Sequence, residues 1–322
     1  MADANIQIAR TGSLGIAIET GPGVTNATAA IYLNYMDNTL RGHHTPIENI
    51  SARTSRIVDS DSVVGKRWAQ GDVKVLGDIK ACGYLFKLAL GNELYTAGTP
   101  SVHTFYPTVS GNTPLTATLI NARGSTDIEQ YSYAAVDSLD IEVTEGLMTV
   151  NAAFMAQYPV TGAAQTVTTT SGSVLAFKDY FVQFGIDLAS AATAVATPLS
   201  EFKMKIANNT ETIFRSGSST LSAIRSKGLK VTGDYKLFFD SVTERDVYYN
   251  SNKRAMIITA SGIGTENLII RVAKFGIREA NIATGIDEFY ALTADWVAED
   301  DVDTQGTRFM SLTLSNDKTS VY

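Results

Sequence analysis

The chain has 322 residues, of which 44% are apolar and 18% charged, and its 26 Lys and Arg against 33 Asp and Glu give a net charge of −7. So apolar a chain is folded rather than disordered, and the lack of any basic stripe excludes a protein built to grip nucleic acid. Such acidity either lets phosphate slide past by repulsion or merely keeps the chain soluble.

Apolar alternation opens at Ile6 and Ile8 and resumes from Leu14 to Ile18, until Gly21-Pro22-Gly23 breaks it. Ala29 to Tyr35 then reads as a strand. From Asp37 to about Ser62 the chain is polar, with Arg41-Gly42-His43-His44 and Pro46, and reads as a long mobile loop. Loops of that length inside a domain are usually functional or ordered by a partner. Gly71 to Lys80 alternates, with Val73, Val75 and Gly77 on one side and Lys74, Leu76 and Asp78 on the other, as in a half-buried strand. Gly83 to Leu90 holds good helix formers closed by Gly91, which predicts a short buried helix. Residues 92–128 are rich in Thr, Ser, Gly, Asn and Pro and read as a surface excursion with strand fragments.

The clearest alternation sets Leu139, Ile141 and Val143 against Ser138, Asp140, Glu142 and Thr144. Glu145-Gly146 turns the chain, and Met148, Val150, Ala152 and Phe154 carry the return strand of a hairpin. Gln157 to Ser173 looks like an interdomain connection. Beyond it, Phe202, Met204 and Ile206 alternate with Lys203 and Lys205, followed by a polar loop from Asn208 to Lys227. Leu229 to Phe239 is another strand, and Thr243 to Asn250 a short helix with Thr243 as N-cap and Glu244 and Asp246 in its first turn. Ala255 to Ala260, Leu268 to Ile277, Phe289 to Trp296 and Arg308 to Leu314 complete the strands.

The halves share an order of strand, long polar loop, strand, short helix and strand pair. Lys74-Val75-Leu76-Gly77-Asp78-Ile79-Lys80 matches Lys230-Val231-Thr232-Gly233-Asp234-Tyr235-Lys236 at five of seven positions. We read a duplication, with units at 1–165 and 166–322. A closed six-membered ring needs head-to-tail interfaces, and three fused pairs would supply half of them within the chain.

Catalytic patterns are absent: there is no Gly-x-Ser-x-Gly, His-Glu-x-x-His or P-loop, and Gly262-Ile263-Gly264 lacks the rest of a dinucleotide fingerprint. His43 and His44 stand without carboxylates or thiols at ligand spacing, so they read as loop residues rather than a metal site. The cluster Glu299-Asp300-Asp301 with Asp303 lacks the Gly and closing Glu of a calcium loop and reads as a solvated acidic segment. Cys82, the only cysteine, sits among apolar neighbours and is expected in the core. No signal peptide is evident at Met1-Ala2-Asp3-Ala4-Asn5, and Arg271 cuts the apolar run Leu268-Ile269-Ile270, so no membrane partner is expected and synthesis is placed in the cytoplasm. No enzyme and no cofactor are expected.

Several stretches together resemble tail tube proteins of long-tailed double-stranded DNA viruses, of the duplicated-domain type. They are Ser13 to Gly21, similar to an N-terminal arm, Gly71 to Gly77 leading into Gly83 to Gly91, Ser138 to Tyr158, similar to the hairpin that lines such tubes, and Val231 to Phe239. The resemblance implies a mainly β fold with one β-sandwich or half-barrel per unit, each flanked by a short helix, completing a β-barrel on ring assembly. It also implies a virion location, stacked trimeric, pseudo-hexameric rings, and partners in itself, the tape measure and the terminator. Double-stranded DNA would pass without specific binding. By position, Asp140 and Glu142 are the lumen-facing candidates, with ordinary solvated strand residues the competing reading. The loops at Asp37 to Ser62 and Asn208 to Lys227, with Arg41, His43, His44, Arg215 and Arg225, are the inter-ring candidates. Lys203 and Lys205 interrupt a uniformly acidic face. A capsid decoration or baseplate protein and a β-rich carbohydrate-binding adhesion module stay open; the latter needs an exposed aromatic platform, which the isolated Trp68 and Trp296 do not form. A hydrolase would need acids converging from distant segments.

Overall fold

Side chains that alternate in and out at every second residue can bury one face of a strand and leave the other wet. The computed structural model is built mostly from such strands, in large antiparallel sheets with no closed barrel among the described residues. It describes residues 12–48, 62–108, 110–124, 127–144, 146–167, 172–238, 243–283, 290–300 and 309–322. The first half contains β1 (Ser13–Ile18), β2 (Ile31–Leu33), β3 (Tyr35–Asn38), β4 (Arg41–Glu48), β5 (Ser62–Leu76), α1 (Cys82–Leu90), β6 (Gly91–Thr96), β7 (Ser101–Pro107), β8 (Ala117–Arg123), β9 (Asp127–Val143), β10 (Thr149–Ala156) and β11 (Val160–Thr161). The second contains β12 (Tyr180–Gly185), α2 (Leu188–Thr193), β13 (Leu199–Ala207), β14 (Thr210–Ile213), β15 (Ala223–Ser226), β16 (Lys230–Phe238), α3 (Thr243–Tyr249), β17 (Lys253–Ser261), β18 (Asn267–Ala283), β19 (Ala291–Ala298) and β20 (Met310–Asn316).

One antiparallel row crosses the whole molecule. β3 and β4 share an edge of β5, and the order continues β10, β9, β13, β16, β19, β18. The 17-residue strands β9 and β18 outrun this row and enter a second layer. There β9 pairs with β8, which leads to β1 and β2. β18 pairs with β17 and, on its other edge, with β20, which continues into β7 and β6. β12 closes against β17. The core lies between the layers, with Leu14, Ile16, Phe105, Tyr131, Phe154, Phe202, Tyr235, Phe275 and Trp296 all buried, and it is continuous from one half into the other. Burying each such side chain stabilises the fold by about 1.5–3 kcal/mol.

Helix α1 is buried at every position but Lys87, and Gly91 closes it at φ 89°, a left-handed conformation that glycine adopts without a Cβ clash. Gly83 leaves room on this helix for the Tyr322 ring, which meets Tyr84, His103 and Phe105 edge-on at 5.0, 4.8 and 5.6 Å. Beside it the Glu93 side chain, 2% exposed, takes Lys87 Nζ at 3.0 Å, His103 Nδ1 at 2.8 Å and the Tyr322 N–H at 3.0 Å. Burial opposes the charge on Glu93, but the bonds from His103, Lys87 and Tyr322 outweigh it and hold the carboxyl below its ordinary range. Cys82 is core, and burial pushes its thiol up.

Several expectations from sequence need correction. The described part of Asp37 to Ser62 is not a loop: β4 pairs with β5 from Arg41 to Glu48, and β5 itself reaches back to Ser62. Asn208 to Lys227 likewise holds the β14–β15 hairpin. Both hairpins are wet on most of their surface, so neither shows the apolar alternation that marks a half-buried strand. Residues 92–128 are no surface excursion, because β7 and β8 are inner strands whose polar residues Ser101, His103, Thr118 and Asn121 are buried with partners. Ser13 to Ile18 is core strand rather than arm, with Leu14 and Ile16 fully buried. Glu19 follows, buried, accepting Gly23 N–H, Thr116 Oγ1, Thr118 Oγ1 and Tyr133 N–H at 2.7–2.9 Å. Thr243 is the first residue of α3. The two seven-residue matching stretches differ in form: the first leaves β5 after Leu76 and turns before α1, whereas Lys230 to Lys236 is strand throughout. Glu145 and the acidic residues Asp301 and Asp303 lie outside the described residues.

Candidate assembly face

The row of strands has one apolar face, turned to the core, and one polar face. Asp140 and Glu142 lie on the polar face of β9, directly opposite Lys205 and Lys203 of β13. The ion pairs span 3.4 Å and 3.3 Å. The two lysines that interrupt the acidic pattern are therefore the cross-strand partners of its two acids. The hydrogen bond to Glu142 holds the Lys203 ammonium above its usual range. Farther along, Asp234 stands opposite both Lys203 and Asp295, and Asp295 opposite Glu279. Burial, with Asp295, Glu201 and Glu142 adding repulsion against the pull of Lys203, pushes the Asp234 carboxyl up. The resulting cross-strand line, Glu142, Lys203, Asp234, Asp295, Glu279, is mostly acidic.

The junction between β9 and β13 joins the two halves. Asp137 bulges out of the β9–β10 pairing, which skips from Ser138 to Val136. Its carbonyl accepts the Asn208 N–H at 2.8 Å, and its carboxylate takes the Thr210 N–H and hydroxyl at 2.6 and 2.7 Å. The β18–β19 pairing likewise skips one residue, Arg278.

Other irregularities recur in the two halves. β3 pairs with β5 through a register shift between Tyr35 and Asp37, opposite Val75 and Lys74; β13 pairs with β16 through one between Leu199 and Glu201, opposite Leu237 and Lys236. Gly71 faces Phe154 across β5–β10, as Gly233 faces Trp296 across β16–β19. Neither glycine has room for a Cβ: at Gly71 it would lie 2.5 Å from Leu40 N, and at Gly233 2.6 Å from the Trp296 ring. α1 packs on β9 and α3 on β18.

The hairpin residues fall into two places. Arg41, His43 and His44 lie on β4, with His43 stacked on Trp68 at 5.8 Å. Trp68 in turn meets Phe214 edge-on at 6.3 Å, and the Arg67 N–H donates to Ser219 O at 2.8 Å, so the two polar hairpins touch near Arg215. Trp68 thus stands on a polar hairpin, whereas Trp296 is core. Arg225 sits apart at the base of β15, bonded to Thr113 Oγ1 at 2.7 Å. No group of three potential metal ligands exists among the described residues, and no helix there is long and apolar enough to cross a membrane.

Sequence reasoning missed the two edges of the row. Among the described residues no strand pairs with the outer edge of β3 and β4, or with β18 beyond Gly276 on the side that β17 occupies earlier. Only long-range pairing reveals an edge, so no local signal could have found them. A family model described as phage tail tube protein matches residues 9–298. No curated protein matches the chain.

Proposed function

Because the chain belongs to the phage tail tube protein family, a structural component of the virion tail, we propose that it closes into rings through its own strand edges and that these rings stack into a hollow conduit for DNA during ejection. The observation that carries this reading is the row that, among the described residues, is open at both ends, with one junction between the halves, β9 to β13, already made inside the chain. An unpaired edge invites a further strand, and a heterologous interface that closes gives a ring.

A duplicated architecture supports the ring number. In chain order β1, β3/β4, β5, α1, β8, β9 and β10 have counterparts in β12, β13, β16, α3, β17, β18 and β19, with units near 1–165 and 166–322. The shared bulges and the paired glycines support the same correspondence. Three such chains would make a pseudo-hexameric ring. The polar face of the row, with Asp140 and Glu142, would line the lumen, where net negative charge repels phosphate and lets the duplex slide. His44 and Arg215, with Arg225 at the hairpin base, would meet the adjoining ring, whereas Arg41 and His43, on the open edge beside β5, would meet the next chain of the same ring; the tape measure and terminator would meet the tube at its bore and end. The family is structural, and the role proposed here needs neither catalysis nor a cofactor.

Electron microscopy of the purified protein at high concentration tests the proposal. Tubes of constant diameter built from threefold rings are expected. A stable monomer that binds glycans, or one that coats capsids without forming tubes, would refute it.

A further inference from the structure

The junction inside the chain can be carried over to the junction between chains, residue by residue. β9 corresponds to β18 through their bulged residues Asp137 and Arg278 and through matching partners: Ile141 faces Val150 as Ile282 faces Leu292, and Leu139 faces Ala152 as Ala280 faces Ala294. β13 corresponds to β3 and β4 through the shared register shift, so Met204 matches Leu40 and Lys205 matches Arg41. The glycines agree, since Gly71 lies against Thr39 and Leu40 where Gly233 lies against Lys203.

We infer that, in the assembled ring, residues 279–282 of β18 pair antiparallel with residues 40–43 of a second copy in the register that β9 and β13 use within one chain. There Ser138 faces Ala207, Leu139 faces Ile206, Asp140 faces Lys205 and Ile141 faces Met204. The carried-over pairs are Glu279 with His43, Ala280 with Gly42, Asn281 with Arg41, and Ile282 with Leu40. This inference rests on the ring reading above and adds which residues meet.

Burial and charge both fit the occupant. Ile282 is only half covered in the single chain, whereas its counterpart Ile141, already joined to β13, is buried. Arg41, exposed on its edge, takes the place of Lys205, and the nearest acid lies two pairs along, on the same face. Asn281 stands where Asp140 does, and Glu279 on the same strand face supplies the diagonal charge that cross-strand neighbours exploit. The correspondence ends at the bulge: Pro46 stands where Thr210 donates its N–H to Asp137, and Arg278 replaces that acceptor. The seam between chains therefore lacks the carboxylate clasp of the seam within the chain.

Cysteine pairing tests the register. Directly opposed residues bring their Cβ atoms to about 4.5–5.5 Å, and native Cys82 is buried. The double variant Arg41→Cys with Asn281→Cys should form tubes that, after mild oxidation, run on non-reducing gels as covalent closed rings. The offset pair His43→Cys with Asn281→Cys should link about tenfold more slowly, given the geometry a disulfide demands. Tubes in which the offset pair links as fast, or in which neither links, overturn the register while leaving the tube reading intact. If the wild-type chain forms no tubes, the tube reading itself falls, and the inference with it. Should the double variant fail to assemble, cryo-electron microscopy of wild-type tubes reads the same strands directly: 279–282 beside 40–43 supports the inference, and any other neighbour ends it.

Discussion

Replacing Gly71 or Gly233 with alanine is the sharpest probe of how tightly the row is built. A Cβ on Gly71 would lie 2.5 Å from Leu40 N and 2.6 Å from the Thr39 carbonyl carbon, so it would strike backbone that cannot swing aside. On Gly233 it would press on the Lys203 carbonyl and lie 2.6 Å from the Trp296 ring, itself stacked on Phe202 and edge-on to Phe275. Overpacking of this kind costs about 1–3 kcal/mol. Against it, removing a glycine from a strand interior returns about 0.5–1 kcal/mol. Because the clashes are with backbone and a packed ring, the upper end of that cost applies, and the net expectation is a loss of about 2 kcal/mol at each site, read as a lower urea midpoint at unchanged slope. Gly228→Ala, with nothing within 4 Å of its Cβ, is the control. It should stay within about 0.5 kcal/mol of wild type. If Gly71→Ala or Gly233→Ala behaves like that control, the close approach of the strands is not what these glycines serve.

Glu93 should make the fold acid-sensitive. Its carboxyl sits below the ordinary value of 4.5, so the stability it contributes is complete above that pH and is lost as pH falls toward its folded value. Urea titrations across that window should show the loss, and Glu93→Gln should remove that part of the pH dependence. Asp234 has the opposite sign: its carboxyl is raised above 3.8, so ionising it works against folding as pH rises past that value. Asp234→Asn should therefore raise the melting temperature at pH 7, with the gain shrinking toward pH 3. At Glu19, glutamine would turn its amide toward the N–H of either Gly23 or Tyr133, whichever way it is rotated. Glu19→Gln should cost about 2 kcal/mol or more in equilibrium unfolding.

Where burial is one-sided, the fold was legible from sequence. Leu139, Ile141 and Val143, Phe202, Met204 and Ile206, and the helix closed by Gly91 all lie as alternation and capping predict. Legibility failed where polarity and exposure part company. β4 and β14 are polar and wet on most of their surface, so they pass for loops, while Thr116, Thr118 and Asn121 are polar yet buried because Glu19 and Asn38 satisfy them. The proposed duplication shows a subtler failure. Gly-Asp occurs at 71–72 and again at 77–78, and local identity favours aligning the second with Gly233-Asp234. Strand pairing aligns the first, since Gly71 faces Phe154 as Gly233 faces Trp296. The polar face was legible in Asp140 and Glu142, but their lysine partners come from a strand some sixty residues away, and no window on the sequence brings them together.

The last strand of the chain has a mechanical consequence. β20 lies between β18 of its own half and β7 of the other, while β9 and β13 clasp the halves in the facing layer. The covalent link between β11 and β12 is therefore not what holds the halves together, for they are already strapped twice and Leu175 within that stretch is itself buried and bonded to Gly77 and Met148. Nicking it would leave one body, and two fragments expressed side by side would find each other and complement as a split protein does.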